Sequence, residues 1–296
     1  MNYQHAFHAG NFADVHKHAV LARILVYLKQ KPGAYRVIDS HAGAGRYDLL
    51  ADEASRSGEW RDGVGRIWEA SGKLSGSSPP AQARELLAPY LEAIAAANPD
   101  GRLRTYLGSP LIARHLMRAQ DQLIACELEP HSAALLAKAL RGDRHAKAIE
   151  LDGWTALGAF VPPKERRGLV LVDPPFEQPA DFNRLSGALA AAHRKWPTGV
   201  YLLWYPIKTR EAPDALAKRL QRLGIARLLR CEIMRGPPRD DAGLVGSGLI
   251  VVNPPFTLEQ DLRVLLPAIS QMLGPQVAHR LDWLAANRTR SHFSTS

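Results

Sequence analysis

Two hydrophobic spacings alternate along most of this chain. In some stretches apolar residues recur every three or four positions, as one side of a helix requires. In others they run together and stop at a polar residue, a glycine or a proline, as a buried strand requires. The helical spacing is plain over residues 11–28, where Val15, Ala19, Leu21, Ile24, Leu25 and Leu28 share a side and Asn11 stands as N-cap. Short apolar-rich stretches predict strands at 35–39, 123–128, 147–151, 168–173 and 199–204, and helical patterns fall at 110–118, 131–140, 154–161 and 181–196. A helix at 211–223 follows, then strands at 227–234 and 248–252 joined by a polar loop, then a helix at 258–273. Short strands alternating with helices predict an α/β fold, with a mostly parallel seven-stranded sheet and helices on both faces. The last two strands have no helix between them, so they could close the sheet as an antiparallel hairpin.

Residues 48–103 break this alternation. They hold a Gly/Ser/Pro stretch at 71–80 and a helical run at 82–98 that Pro89 is placed to kink. The division this suggests is a main domain of residues 1–47 and 104–286, a small helical insertion at 48–103, and a disordered tail at 287–296.

Composition narrows the partner. The chain has 296 residues, 38 Lys and Arg against 29 Asp and Glu, and a net charge of +9. Such a surplus suits a polyphosphate backbone, because neutralised phosphates release counterions. The two cysteines, Cys126 and Cys231, are far apart and form no C-x-x-C pair, which argues against a structural zinc site and fits a reducing cytoplasm. The polar N-terminus has no signal-peptide core, and no apolar stretch approaches a membrane span.

The candidate chemistry centres on the run from Val170 to Phe176, an apolar strand that ends in Asp173-Pro174-Pro175-Phe176. An exocyclic amine on a base is a poor nucleophile, because its lone pair is delocalised into the ring. A carboxylate (Asp173) and a backbone carbonyl (Pro174) that accept its two N–H protons draw the nitrogen toward a nucleophilic geometry. The prolines fix the turn, and Phe176 offers a face on which an extruded base can stack. Three other predicted strand ends carry matching features: the glycine loop Asp39-Ser40-His41-Ala42-Gly43-Ala44-Gly45, the acids Glu127 and Glu129, and Asp152-Gly153. In an open α/β sheet, ligands bind outside the carboxyl ends of the strands. Gly43 would let backbone approach a ligand, Glu127 could accept both hydroxyls of a ribose, and Asp152 could bind an adenine amino group. Asp48 stands where a dinucleotide fingerprint would have its third glycine, which argues against a nicotinamide cofactor.

A second run of the same shape, Asn253-Pro254-Pro255-Phe256, ends the last predicted strand. An amide oxygen could play the carboxylate's part, but its place on the last strand, away from the sheet's expected centre, and the helix start that follows favour Asp173. At the N-terminus His5, His8, His16 and His18 match no common metal-ligand spacing. They read either as structural histidines of the first helix or as part of an arm over the site in which Tyr3, His5 and Lys17 touch RNA. Trp204 could line the base pocket or fill the core.

Together these residues resemble the RlmJ family, the 23S ribosomal RNA adenine-N6 methyltransferases. The likeness rests on residues 3–18, on Ser40 through Tyr47, on Gly108-Ser109-Pro110-Leu111-Ile112-Ala113-Arg114, on Asp173 through Phe176, on Leu203-Trp204-Tyr205-Pro206 and on residues 247–255. It implies a Rossmann-like class I methyltransferase that uses S-adenosylmethionine and releases S-adenosylhomocysteine. It implies cofactor contacts at His18, His41, Ser109, Glu127, Asp152, Gly153 and Asp173, with Asp173 also orienting the target amine as proton acceptor, and Tyr3 meeting the RNA. Phe176 stands where the motif commonly has Tyr, and Phe12 where the family can have His. The expected enzyme is a cytoplasmic monomer that needs no metal. The same motif serves DNA adenine and protein amide methyltransferases, and a non-catalytic RNA-binding protein could keep the fold.

Overall fold

The first helix carries the reason for its own start. In the computed structural model of the chain, which describes residues 5–71, 79–178, 180–237 and 243–285, helix α1 spans Phe12–Lys29. The Asn11 side chain accepts hydrogen bonds from the N–H groups of Ala13 (2.9 Å) and Asp14 (3.0 Å), pairing donors that a helix N-terminus otherwise leaves orphaned. A short 3-10 turn, His5–Phe7, precedes it. α1 is buried nearly all round, and its buried residues include Asp14, His16, Lys17 and His18. Polar groups this deep cost free energy unless they are paired, and their partners define the site described below.

The chain then runs through β1 (Arg36–Asp39), β2 (Arg46–Asp48), α2 (Asp52–Ser57), a π-helical turn (Arg61–Gly65), α3 (Arg66–Ser71), α4 (Ala81–Ala96), β3 (Thr105–Leu107) and α5 (Ser109–Leu116). It continues with β4 (Gln122–Glu127), α6 (Pro130–Ala139), β5 (Ala146–Glu150), α7 (Gly153–Phe160), β6 (Gly168–Val172), α8 (Asp181–Lys195), β7 (Val200–Ile207) and α9 (Glu211–Arg222). The last elements are β8 (Leu228–Met234), β9 (Gly246–Val252), α10 (Leu258–Leu273) and β10 (Ala278–Ala285).

The main sheet has eight strands in the order β10-β8-β9-β7-β6-β1-β4-β5. From β5 to β7 the neighbours are parallel; β9 is antiparallel to both β7 and β8, and β10 is antiparallel to β8. Two expectations are corrected. The sheet has eight strands, not seven, because β10 is a charged edge strand whose His279, Arg280 and Asp282 hide its period. Asp282 accepts two hydrogen bonds from Arg230 of β8, at 2.9 and 2.7 Å, and charges of this kind also discourage edge-to-edge pairing. The expected hairpin exists, but β9 lies between β7 and β8.

β6 is buried along its whole length, as an interior parallel strand covered on both faces should be. Helices α1, α4, α5 and α10 pack on one face of the sheet, and α7, α8 and α9 on the other. The short ribbon β2–β3 joins the two ends of residues 48–103. Leu49, Val64, Ile67, Leu87, Tyr90 and Ile94 from that segment share one core with Val15, Leu21 and Leu25 of α1. Pro89 lies within α4, which runs on past it. The expected tail at 287–296 lies outside the described residues.

Candidate active site

A cavity of about 520 Å³ opens at the carboxyl ends of the parallel strands. It is lined by residues from the ends of β1, β4, β5 and β6, together with α1 and the start of α5: His41 and Gly43, Glu127, Asp152 and Gly153, Asp173 and Pro174, Lys17 and His18, and Ser109. The strand ends that the sequence marks separately therefore meet around one space.

The glycine loop after β1 is built for close packing. Gly43 has φ +62°, and a Cβ there would sit 2.2 Å from the Tyr47 hydroxyl. Glu127 clamps this loop to the end of β4. One carboxylate oxygen accepts from the Gly43 N–H (2.8 Å), and the other accepts from those of Leu128 (2.9 Å) and Glu129 (2.8 Å). Glu129 points elsewhere: it caps α6 by accepting from His131 and Ser132. Asp152 caps α7, accepting from the N–H and hydroxyl of Thr155 through a single oxygen. Its neighbour Gly153 has no room for a side chain, since a Cβ would meet the His41 ring at 2.5 Å. Burial pushes the His41 imidazole down to about 4, so the ring is neutral. The Ser40 hydroxyl donates to the Leu171 carbonyl (2.9 Å) and has its oxygen 2.9 Å from His41 Nδ1. Nδ1–H is then the donor, which leaves Nε2 as an acceptor.

At the end of β6, Asp173 meets α1. Lys17 Nζ donates to Asp173 Oδ2, and lies 2.8 Å from Asp14 Oδ1. Burial works to lower the Lys17 pKa, and is outweighed by the carboxylates of Asp14 and Asp173, which raise it. Lys17 is only 4% exposed, so the structure places it inside the site rather than on an outer surface. His18, next along α1, has Nδ1 2.7 Å from the Tyr106 hydroxyl, which in turn is 3.2 Å from that of Tyr90 in α4. Phe176 adopts φ +50°, uncommon for a bulky residue. It packs on Phe182 (ring centroids 4.7 Å apart) and meets Trp204 edge-on at 5.7 Å.

Tyr3 lies outside the described residues, as does the His5 side chain. The remaining N-terminal histidines each have their own protein partner: His8 with Glu59, His16 with Ser247, and His18 with Tyr106. Among the described residues no group of three or more His, Cys, Asp or Glu side chains is placed to hold a metal ion, and no helix is long and apolar enough to cross a membrane.

The family model described as "Ribosomal RNA large subunit methyltransferase D, RlmJ" matches residues 32–285. The chain belongs to the RlmJ family. Ribosomal RNA large subunit methyltransferase J of Escherichia coli is 40% identical over 275 residues, covering 93% of this chain and 95% of its own. The protein of that name from Haemophilus influenzae is 38% identical over 277 residues, with 93% and 95% covered. A crystal structure of a Legionella pneumophila protein superposes with a TM-score of 0.85 at 29% identity, covering 95% of this chain and 99% of that one. This RlmJ-family chain is a methyltransferase with a Rossmann-like α/β fold.

Three residues at or beside the site are given no individual role by the sequence. Asp14 holds Lys17, and its i, i+3 spacing after an N-cap was the available signal. Arg184 of α8 reaches the cavity, with its guanidinium over the Trp154 ring (4.9 Å) and 3.6 Å from Asp152; no local pattern announces it. Asp39 at the end of β1 is 1% exposed. Burial pushes its carboxyl up to about 7, opposed by the Ser109 hydroxyl and reinforced by Asp173.

Proposed function

We propose that this chain transfers a methyl group from S-adenosylmethionine to the exocyclic N6 of an adenine in 23S ribosomal RNA. The observation that carries the reading is Asp173, a carboxylate at the end of a central parallel strand, opening on the cavity and followed by two prolines and an aromatic ring. The cavity suits the cofactor. Its volume is in the range of small-molecule sites, and Glu127, Asp152 and the Gly43 turn offer acceptors and close backbone along one line. His18, His41, Ser109, Glu127, Asp152 and Gly153 would hold it. When bound, it supplies an electrophilic methyl on a sulfonium and leaves as S-adenosylhomocysteine.

The chain's residues do the rest. The second oxygen of Asp173 and the Pro174 carbonyl accept the two N–H bonds of the adenine amine, which directs its lone pair at the methyl carbon. With the cofactor bound, the nitrogen would take the methyl as the sulfonium gives up its C–S bond, and Asp173 would accept the proton the amine releases. Phe176 supports the extruded base. Bringing the two reactants into line is a large part of the catalysis. Lys17 acts at the target base through Asp173, while Tyr3 and His5 meet the RNA. The surplus of 38 basic over 29 acidic residues draws the phosphate backbone. We further infer a cytoplasmic monomer in which residues 48–103 are an insertion flanking the cleft.

The test is transfer of labelled methyl to 23S RNA from a strain lacking this gene, with digestion to nucleosides. Label in N6-methyladenosine, absent when wild-type RNA is used, is the expected result. Label only in duplex DNA or in protein amide controls would overturn the substrate, and label nowhere would overturn the activity.

A further inference from the structure

Three consecutive side chains of α1 leave the helix toward three parts of the site: Lys17 to Asp173, His18 to Tyr106, and His16 to Ser247. His16 Nδ1 lies 3.1 Å from the Ser247 hydroxyl oxygen. The same oxygen accepts the indole N–H of Trp204 at 3.0 Å; an indole can only donate, so the direction of that bond is fixed. His16 and Ser247 are fully buried, and burial pushes the His16 imidazole down to about 3, so it is neutral. Ser247 sits on β9 opposite Pro206 of β7. Trp204 follows Leu203, the register partner of Val172, and so stands level with Asp173 on the neighbouring strand. Its ring meets Phe176 edge-on.

We propose that His16 and Ser247 are positioning residues that fix the Trp204 indole, and through it the Phe176 ring, as the wall that sets the target base beside Asp173. The proposal rests on the reading that this site takes a nucleobase. None of His16, Ser247 and Trp204 lines the cofactor cavity. A displaced indole therefore misplaces the base without loosening the cofactor, and small misplacements are costly in transfer reactions.

The experiment compares Ser247→Ala, Ser247→Thr and His16→Phe with the wild-type enzyme. It reads the single-turnover rate on RNA, the cofactor dissociation constant, and the Trp204 indole N–H resonance, assigned with Trp204→Phe. Ser247→Ala is expected to shift that resonance and slow transfer about tenfold, with cofactor affinity within about twofold of wild type. Ser247→Thr, which keeps the hydroxyl, restores both, and His16→Phe falls between. A wild-type rate in Ser247→Ala overturns the proposal. So does a Thr variant as slow as the Ala variant, or a loss of rate matched by an equal loss of cofactor affinity. A wild-type rate in His16→Phe removes His16 from it. If the wild-type protein itself moves no methyl to RNA, the underlying reading fails; wild-type transfer with an unaffected Ser247→Ala refutes the positioning role alone.

Discussion

The chain contains the same kind of turn twice, Asp173-Pro174-Pro175-Phe176 and Asn253-Pro254-Pro255-Phe256, and strand direction gives the two copies different work. β6 runs parallel to both its neighbours, so Asp173 emerges at the cavity. β9 runs antiparallel to β7 and β8, so Asn253 emerges at the opposite end of the sheet. There its carboxamide donates to the carbonyls of Pro197 and Gly199, both at 2.8 Å, just before β7 begins. The Pro254 carbonyl is taken by Arg227 at 2.7 Å. The Pro254 carbonyl that could grip an amine is taken, and the Asn253 side chain is turned by its two donated bonds to clasp a strand end. The backbone differs too: the left-handed residue is Phe176 in one copy and Asn253 in the other. Asn adopts that conformation with little penalty, whereas a bulky ring held there is the kind of strain that clusters at functional sites.

The largest effect that could break this contrast is on catalysis. Asp173→Ala is expected to lower methyl transfer by about 10³-fold or more while the protein stays folded and binds cofactor. Asn253→Ala should leave the rate per folded molecule near wild type. It should instead cost about 1–3 kcal/mol in a urea titration, because two carbonyls lose their donor and Ala must take a left-handed φ. A slow but fully stable Asn253→Ala enzyme would show that the second turn takes part in the reaction.

Much of this contrast was legible beforehand. The apolar run of β6 and its polar stop place Asp173 at a strand end without any structure, and the alternation of helices and strands makes that end the ligand side. The gathering of Gly43, Glu127, Asp152 and Asp173 follows from the same topology. What the sequence hides is pairing across long separations. Lys17 reads as an RNA-touching residue of an N-terminal arm until α1 is seen to bury it against Asp173, 156 residues away. Arg184 carries no period or motif of its own, and Ser247, although it opens one of the blocks that carry the family likeness, gives no sign in the sequence of its bond to Trp204. β10 escapes because an edge strand paired through Arg230 and Asp282 is too polar to look like one.

A smaller effect sharpens the comparison through pH. The cavity end of the sheet holds Asp39, whose carboxyl keeps its proton up to about 7 in the folded chain, against about 3.9 when unfolded. Between those values the folded state binds more protons than the unfolded state, so this group's contribution to stability is present at low pH and is lost as pH rises toward 7. Asp39→Asn removes the dependence. Its urea midpoint should gain on the wild type between pH 4 and 7 (the pH window set by those two values), with flat differences on either side. Asn253→Ala, at the opposite end of the sheet, should shift the midpoint by a constant amount across the same window. Parallel curves for Asp39→Asn and wild type would contradict the assignment of the proton to Asp39.

The smallest expected effect belongs to Phe256, the last residue of the second turn. Phe256 is 86% exposed, so Phe256→Ser should change stability by no more than about 0.5 kcal/mol and leave transfer to RNA untouched. Phe176→Ser removes a ring packed on Phe182 and Trp204, and should slow transfer while cofactor affinity holds. The pair isolates location from composition, because each substitution deletes the same ring from the same tetrapeptide frame. The informative surprise would be Phe256→Ser losing activity on long RNA but not on a short target fragment, at unchanged stability. An exposed ring at the far end of the sheet would then be touching RNA remote from the methylated base, and both ends of the molecule would be reading one substrate.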